Sequence, residues 1–394
     1  MSSAPKSQQK LKELLAAYYR GLGRRESPVA WCTSVGPAEL LRSFGYQVYF
    51  PENHGAMIGA KRLGSRTIPE AARAGYSPDI CSYLTSDIGA FLLAETPLAA
   101  HGLDRVPAPD LLVYNTCQCR DVKEWFGFYA DRFKVPLVGI EAPRDIDDVN
   151  GPLLAYLESS WMRLIADLER ISGRRFDPAR FATIVDLSGQ ACRLWQEFLE
   201  TNRARPARHN FFDDIILMAP VVVLRGEKEA VAFYRGLLDE IAAVEPGTRE
   251  ERHRLYWEGM PVWGRIRFLA ELFAKHHVSV VASTYCHSWA FAFDAADPLT
   301  SSIDAYGRIF ITRSQRHKLD YLREMCRDFS IDAMIFHDAK TCPANTNSRY
   351  GIPGKLTAQA GIPTLTFYGD LVDLRHFSEA EFTLRFEAFL EQIE

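Results

Sequence analysis

No run of roughly 18 apolar residues, the length a membrane-spanning helix needs, occurs in this chain. The opening segment MSSAPKSQQK is polar and lacks the apolar centre of a signal peptide. Membrane insertion and export are not expected, and a cytoplasmic location follows by default. A dominant charge is missing as well: 46 Lys and Arg stand against 50 Asp and Glu, a formal net charge of −4. Nothing in that balance calls for nucleic acid or an anionic membrane as partner. Neither GxxxxGK[ST] nor GxGxxG occurs, and GLGRRE (Gly21 to Glu26) has no strand before it, so the common nucleotide cradles are absent. GxSxG and HExxH are also missing, which disfavours serine-hydrolase and zinc-protease chemistry. There is no short-period repeat and no low-complexity tract.

What is present is an ordinary globular composition, 47% hydrophobic and 24% charged over 394 residues. That length suggests two or three compact units of roughly 100–200 residues each. Leu111 to Pro143 organises the first. A buried strand (Leu111 to Tyr114), a polar turn with Cys117 and Cys119, an amphipathic helix (Asp121 to Phe133) and a second strand (Pro136 to Ile140) make one βαβ unit. Val29 to Gly55 repeats the pattern: a strand, a turn with Cys32 and Ser34, a short helix ending near Gly45, and a second strand emptying into Glu52, Asn53 and His54. A helix from about Pro78 has Cys81 at its start. Residues 1–149 thus form an N-terminal helix plus a first α/β domain. Residues 150–210 hold two long helical patterns, a connector, and end in the basic loop RARPAR, expected to be a solvated surface turn. From 211 to 394 the pattern is an apolar stretch to Leu224, a helix from Lys228 to Ala243, an acidic Pro/Gly-containing loop, and then strands and helices in alternation, a second doubly wound domain. Ser378 and Glu381 form a capping box for the last helix.

Eight cysteines in a reducing compartment are free thiols or metal ligands rather than disulfides. Cys81, Cys117 and Cys342 stand out by context, one at a helix start and two in strand-end turns, where backbone N–H groups stabilise thiolates. Three thiolates meeting between two domains suit a [4Fe–4S] cluster with one iron open. Their spacing matches no local ligand motif, so zinc and plain buried thiols remain alternatives. Cys119 is expected to point elsewhere than Cys117, Cys192 and Cys326 to be buried on helices, and Cys32 and Cys286 to lie near the crevice without binding metal.

The segments NTCQCRDVKEWF, DICSYLTSDIGA, YWEGMPVW, STYCHSWAF, HDAKTCPANTNSRYGIP and GDLVDLRHFSEAEFTLRFEAFLEQ together resemble the 2-hydroxyacyl-CoA dehydratase and benzoyl-CoA reductase family. The resemblance runs in order from about Val29 to the C-terminus. It implies two Rossmann-like domains joined by helices. It also implies a related second subunit in a heterodimer, a separate ATP-hydrolysing iron–sulfur activator that delivers single electrons, and one cluster per subunit on Cys81, Cys117 and Cys342. The implied substrate is an acyl-CoA thioester. One electron on its carbonyl gives a ketyl radical anion that expels the 2-hydroxyl and acidifies the β-hydrogen; in the reductase branch the electrons enter an aromatic ring.

Ser34 and Glu52, at the ends of the first two strands, resemble positions near the family's substrate site and are the candidates for hydroxyl activation and proton handling. The plainer alternatives are a helix N-cap for Ser34 and a surface turn carboxylate bonded to Asn53 for Glu52. His54 and His287 are weaker, substrate-binding candidates. Trp257 and Trp263 are expected to pack, Asn345 and Asn347 to brace the Cys342 loop, and Lys61, Arg62 and Arg349 are the basic residues considered for the CoA phosphates. Three functions stay open: a dehydratase subunit, favoured by the TCPANTNSRYGIP loop and the chain length, a benzoyl-CoA reductase subunit, or a non-catalytic electron-relay or structural partner.

Overall fold

Strands in a sheet covered on both faces are apolar along their whole length, and VAWC, LLVYN and VSVVAS have that character. A computed structural model describes residues 5–243 and 250–394, the side chain of Pro5 aside. The acidic, Pro/Gly-containing loop expected after the helix at Lys228 falls on residues 244–249, outside the described residues.

After α1 (Pro5–Arg24), the first sheet is built from β1 (Val29–Cys32), β2 (Gln47–Tyr49), β3 (Leu111–Asn115) and β4 (Leu137–Ile140), all parallel, in the order β2-β1-β3-β4. Its helices are α2 (Ala38–Ser43), α3 (Pro51–Ala60), α4 (Gly64–Arg73), α5 (Ser82–Leu92) and α6 (Asp121–Phe133). Two long helices follow, α7 (Gly151–Ser172) and α8 (Pro178–Glu200). Helical structure then continues through α9 (Phe211–Leu217), α10 (Ala219–Val223) and α11 (Lys228–Ala242), so the apolar stretch ending at Leu224 is helical. Here α11 packs on α8 and α1.

The second sheet comprises β5 (His253–Glu258), β6 (Val278–Ser283), β7 (Ala333–Ala339) and β8 (Thr364–Gly369), again parallel, in the order β6-β5-β7-β8. Around it lie α12 (Ile266–Lys275), α13 (Thr284–His287), α14 (Pro298–Gly307), α15 (Gln315–Asp328), α16 (Ile352–Ala360) and α17 (Glu379–Ile393). Ser378 caps α17 by accepting from the Glu381 N–H. The fold is therefore the expected α/β one, with two Rossmann-like parallel sheets. One apolar core runs through both halves and the long helices, and a smaller cluster around Leu322, Phe329 and Phe336 covers the far side of the second sheet. No helix among the described residues is long and apolar enough to cross a membrane.

Candidate functional site

Open parallel sheets bind ligands past the carboxyl ends of their strands, where the strand order reverses. Here that is between β1 and β3 in one sheet and between β5 and β7 in the other. The turn after β1 holds Ser34, the turn after β3 holds Cys117 and Cys119, and the turn after β7 holds Cys342. Cys81 is the N-cap residue of α5. The two ends are pinned together where the Ser82 N–H donates to Thr341 Oγ1 at 3.0 Å, one residue beyond Cys81 and one before Cys342. Thr341 in turn donates through both N–H and Oγ1 to Asp370 Oδ2, at 2.9 and 2.6 Å. The Trp263 indole N–H also donates across the crevice, to Tyr83 OH.

The thiols that meet in this crevice are Cys81, Cys119 and Cys342. Cys117 lines neither cavity there; it is fully buried with its Sγ 3.6 Å from Val35 O. The turn explains the exchange. Asn115 Oδ1 accepts the Cys117 N–H at 3.0 Å while its amide donates to Val35 O at 3.0 Å, which directs residue 117 back under β1. Residue 119 comes out just ahead of α6, in the crevice. All three crevice thiols face the start of a helical turn: the backbone N–H of Leu84, Val122 and Asn345, three residues on in each case, favours their charged form. Burial outweighs it, lifting Cys119 to about 12 and Cys342 to about 11, and Cys81 is raised by burial and by both neighbouring thiols. All eight cysteines are free. Among the described residues, no three His, Cys, Asp or Glu side chains are arranged to hold a single metal ion.

Glu52 is not a surface carboxylate. It sits in the first turn of α3, 5% exposed, and Oε1 accepts the Ser34 N–H at 2.9 Å and the Gln118 amide at 3.0 Å. Oε2 is buried with no partner. Desolvation raises its pKa to about 7, against the opposing pull of those hydrogen bonds. Ser34 is not a helix cap: α2 starts after Pro37 with no side-chain cap. The Ser34 hydroxyl lies close enough to favour the charged form of Glu52, yet it is buried without a hydrogen bond of its own.

Arg225, fully buried, holds this turn from behind by donating to Ser34 O at 2.8 Å and Gly36 O at 3.0 Å. Its charge is balanced by Glu39, 3.5 Å away, which also accepts from Ser188 at 2.7 Å and Tyr306 at 2.6 Å. A Cβ at Gly36 would stand 2.5 Å from Cys32 Sγ, so only glycine lets the turn fold this tightly.

Two cavities meet at Cys81, Cys119 and Cys342. One, about 320 Å³, is walled mainly by apolar side chains and contains Ser34 and Glu52. The other, about 630 Å³, is lined by Arg120, Arg144, Arg313 and Lys318 together with Asp121 and Asp145. Trp263, Asn345 and Tyr285 line the first; Asn347 lines the second.

The remaining candidates lie outside both cavities. His54 is buried, with Nδ1 bonded to Asp87 Oδ1 and Nε2 2.9 Å from Thr96 Oγ1; Asp87 also accepts from Trp125 at 2.8 Å and Tyr129 at 2.5 Å. His287 contacts Ser283 O at 2.9 Å through Nδ1, and burial lowers its pKa to about 4. Trp257 packs in the core, its ring 5.0 Å from Phe211. Arg349 is held by Asp338 at 2.6 Å, and Arg62 donates to Gly264 O at 3.0 Å. Sequence inspection passed over Glu258, Arg225 and the four cations of the second cavity, which come from separate stretches of chain.

A family model described as 2-hydroxyglutaryl-CoA dehydratase, D-component, matches residues 33–393. The (R)-2-hydroxyisocaproyl-CoA dehydratase alpha subunit of Clostridioides difficile is 30% identical over 409 residues, spanning 100% of this chain and 98% of that one. The (R)-phenyllactyl-CoA dehydratase alpha subunit of Clostridium sporogenes is 25% identical over 374 residues, 93% of this chain and 90% of that one. A benzoyl-CoA reductase subunit of Thauera aromatica is 25% identical over 411 residues, 98% of this chain and 94% of that one.

Proposed function

Since the chain belongs to the 2-hydroxyglutaryl-CoA dehydratase D-component family, we propose that it is the substrate-holding subunit of a 2-hydroxyacyl-CoA dehydratase that removes water from a 2-hydroxyacyl-CoA to give the 2-enoyl-CoA. The observation that carries this reading is the meeting, in one crevice, of three thiols at helix starts with an unpaired Ser34 hydroxyl and a Glu52 oxygen that lacks a partner. The donor set fits a [4Fe–4S] cluster. A cubane spreads its thiolates farther apart than a single ion does, and the backbone N–H groups of Leu84, Val122 and Asn345 suit its negative charge. Cys81, Cys119 and Cys342 would hold it. When bound, it supplies a low-potential electron and a Lewis-acidic open iron.

The chain's own residues handle protons and position. Ser34 Oγ, fixed by Arg225 behind its turn, donates to the substrate hydroxyl. With a pKa near neutrality, Glu52 can give a proton to the departing hydroxyl at Oε2 and take one back from the neighbouring carbon, which balances the loss of water. Tyr83 and Trp263 close the crevice and exclude water. A related second subunit and an ATP-hydrolysing iron–sulfur activator complete the enzyme in this reading, and the absence of a nucleotide cradle from the sequence supports placing ATP hydrolysis elsewhere. Eight free cysteines support a reducing, cytoplasmic setting.

Iron and acid-labile sulfide per chain, measured after anaerobic purification, test the ligand set. About four of each are expected, lost in Cys81→Ala, Cys119→Ala and Cys342→Ala and retained in Cys117→Ala. Loss in Cys117→Ala with retention in Cys119→Ala would overturn it. Turnover of benzoyl-CoA and not of any 2-hydroxyacyl-CoA by the activated complex would move the function to the reductase branch.

A further inference from the structure

We propose that the substrate's acyl chain is uncharged and apolar and lies in the cavity that contains Ser34 and Glu52, while the phosphates of its CoA end lie in the cavity lined by Arg120, Arg144, Arg313 and Lys318. This deepens the dehydratase reading and rests on it. The hydrogen that leaves with the hydroxyl belongs to the acyl chain, so that chain must extend toward the groups that can move a proton. Ser34 and Glu52 line the first cavity and not the second. The acyl chain is thereby placed on the apolar side of the thiols.

The walls there offer a negative charge neutral donors only. Among the described residues no Lys or Arg lines the cavity, and the ionisable groups besides the thiols and tyrosines are Glu52, Asp121 and His101. Burial lowers the His101 pKa, with the exposed Arg20 and Lys61 acting in the same direction, so that imidazole stays neutral at pH 7. Away from Glu52 the cavity is completed by Leu15 and Tyr19 of α1, Met57 of α3, Met218 between α9 and α10, and Val222 of α10. A carboxylate on the acyl chain would lose its water with no cation to meet it.

Across the thiols the chemistry reverses. Four cations and two carboxylates line the second cavity. Arg144 donates to Gln118 O, Arg313 to Asp147 O, and Lys318 to the Asn347 side-chain oxygen at 2.9 Å, all neutral acceptors, while Asp147 and Asp148 act on Arg313 and Glu258 and Asp145 on Lys318 at longer range, and Arg120 has Glu124 at 3.9 Å. Phosphate oxygens are the natural counterpart of such a set.

Calorimetric titration of the anaerobic complex with 2-hydroxyisocaproyl-CoA, 2-hydroxyglutaryl-CoA and free CoA tests the assignment. The apolar thioester should bind on the order of a hundredfold more tightly than the dicarboxylic one. Met57→Arg should narrow that ratio at least tenfold. Arg120→Ala and Lys318→Ala should weaken all three ligands by a similar factor, free CoA included. Equal or tighter binding of 2-hydroxyglutaryl-CoA to the wild-type complex overturns the proposal without needing any variant to fold. If neither thioester binds, the acyl-CoA reading itself fails and the proposal with it.

Discussion

Glu52 and Glu258 sit at the strand ends of two sheets with the same strand order, and both are buried carboxyls whose pKa desolvation raises. Their surroundings differ in one respect. Glu258 is fully engaged: Thr284 donates to Oε2, Asn347 donates to Oε1 at 2.5 Å, and the residue lines neither cavity. Glu52 is engaged on one side only, with Oε2 left without a partner beside the crevice. Burial alone therefore does not mark a reactive carboxylate. An unmet hydrogen-bonding position next to open space does, because a native fold rarely leaves one there without use.

Exchanging each glutamate for its amide should separate the two roles. Glu52→Gln is expected to lower turnover roughly a hundredfold to ten-thousandfold, the range for loss of a general acid–base, with no loss of stability. Glu258→Gln should leave turnover within tenfold of wild type and cost about 1–3 kcal/mol of stability as its buried partners lose an acceptor. The opposite pattern in the two variants would break the comparison.

A pH series sharpens it. With its pKa raised from 4.5 to about 7, Glu52 binds its proton more tightly folded than unfolded, so its contribution is complete below pH 4.5 and is lost as pH rises through 7. That loss amounts to about 3 kcal/mol. Denaturant melts should show Glu52→Gln matching the wild type near pH 4 and exceeding it by about that amount near pH 8; equal stability at both would show that Glu52 is not desolvated. The smallest effect is expected at Ser34→Ala. Its hydroxyl makes no hydrogen bond, so melting should be unchanged while turnover falls about tenfold to a hundredfold; a large loss of stability would show that the hydroxyl is structural.

Much of this arrangement was legible in the sequence. Parallel strands covered on both faces read as short apolar runs, so β1, β3 and β6 could be placed within a residue or so, and Cys81 at the start of α5 and Glu52 beyond β2 followed from them. What escaped depended on partners distant in the chain. Which of Cys117 and Cys119 faces the crevice is set by Asn115 reaching Val35, 80 residues away. His54 looked available at a strand end until Asp87, 33 residues on, took its ring nitrogen. Glu258 drew no attention in the sequence because both of its donors lie elsewhere, one of them 89 residues away. No local pattern reports such contacts.

The bond from Ser82 to Thr341 spans 259 residues. At ordinary rates of translation Thr341 leaves the ribosome roughly 10–50 s after Ser82, so the first sheet can fold and wait with Cys81 and Cys119 in place and nothing opposite them. Any process that needs all three thiols together must then wait for chains whose synthesis has all but finished. A truncated chain ending before β7 would keep two of the three thiols and hold them against no opposing wall.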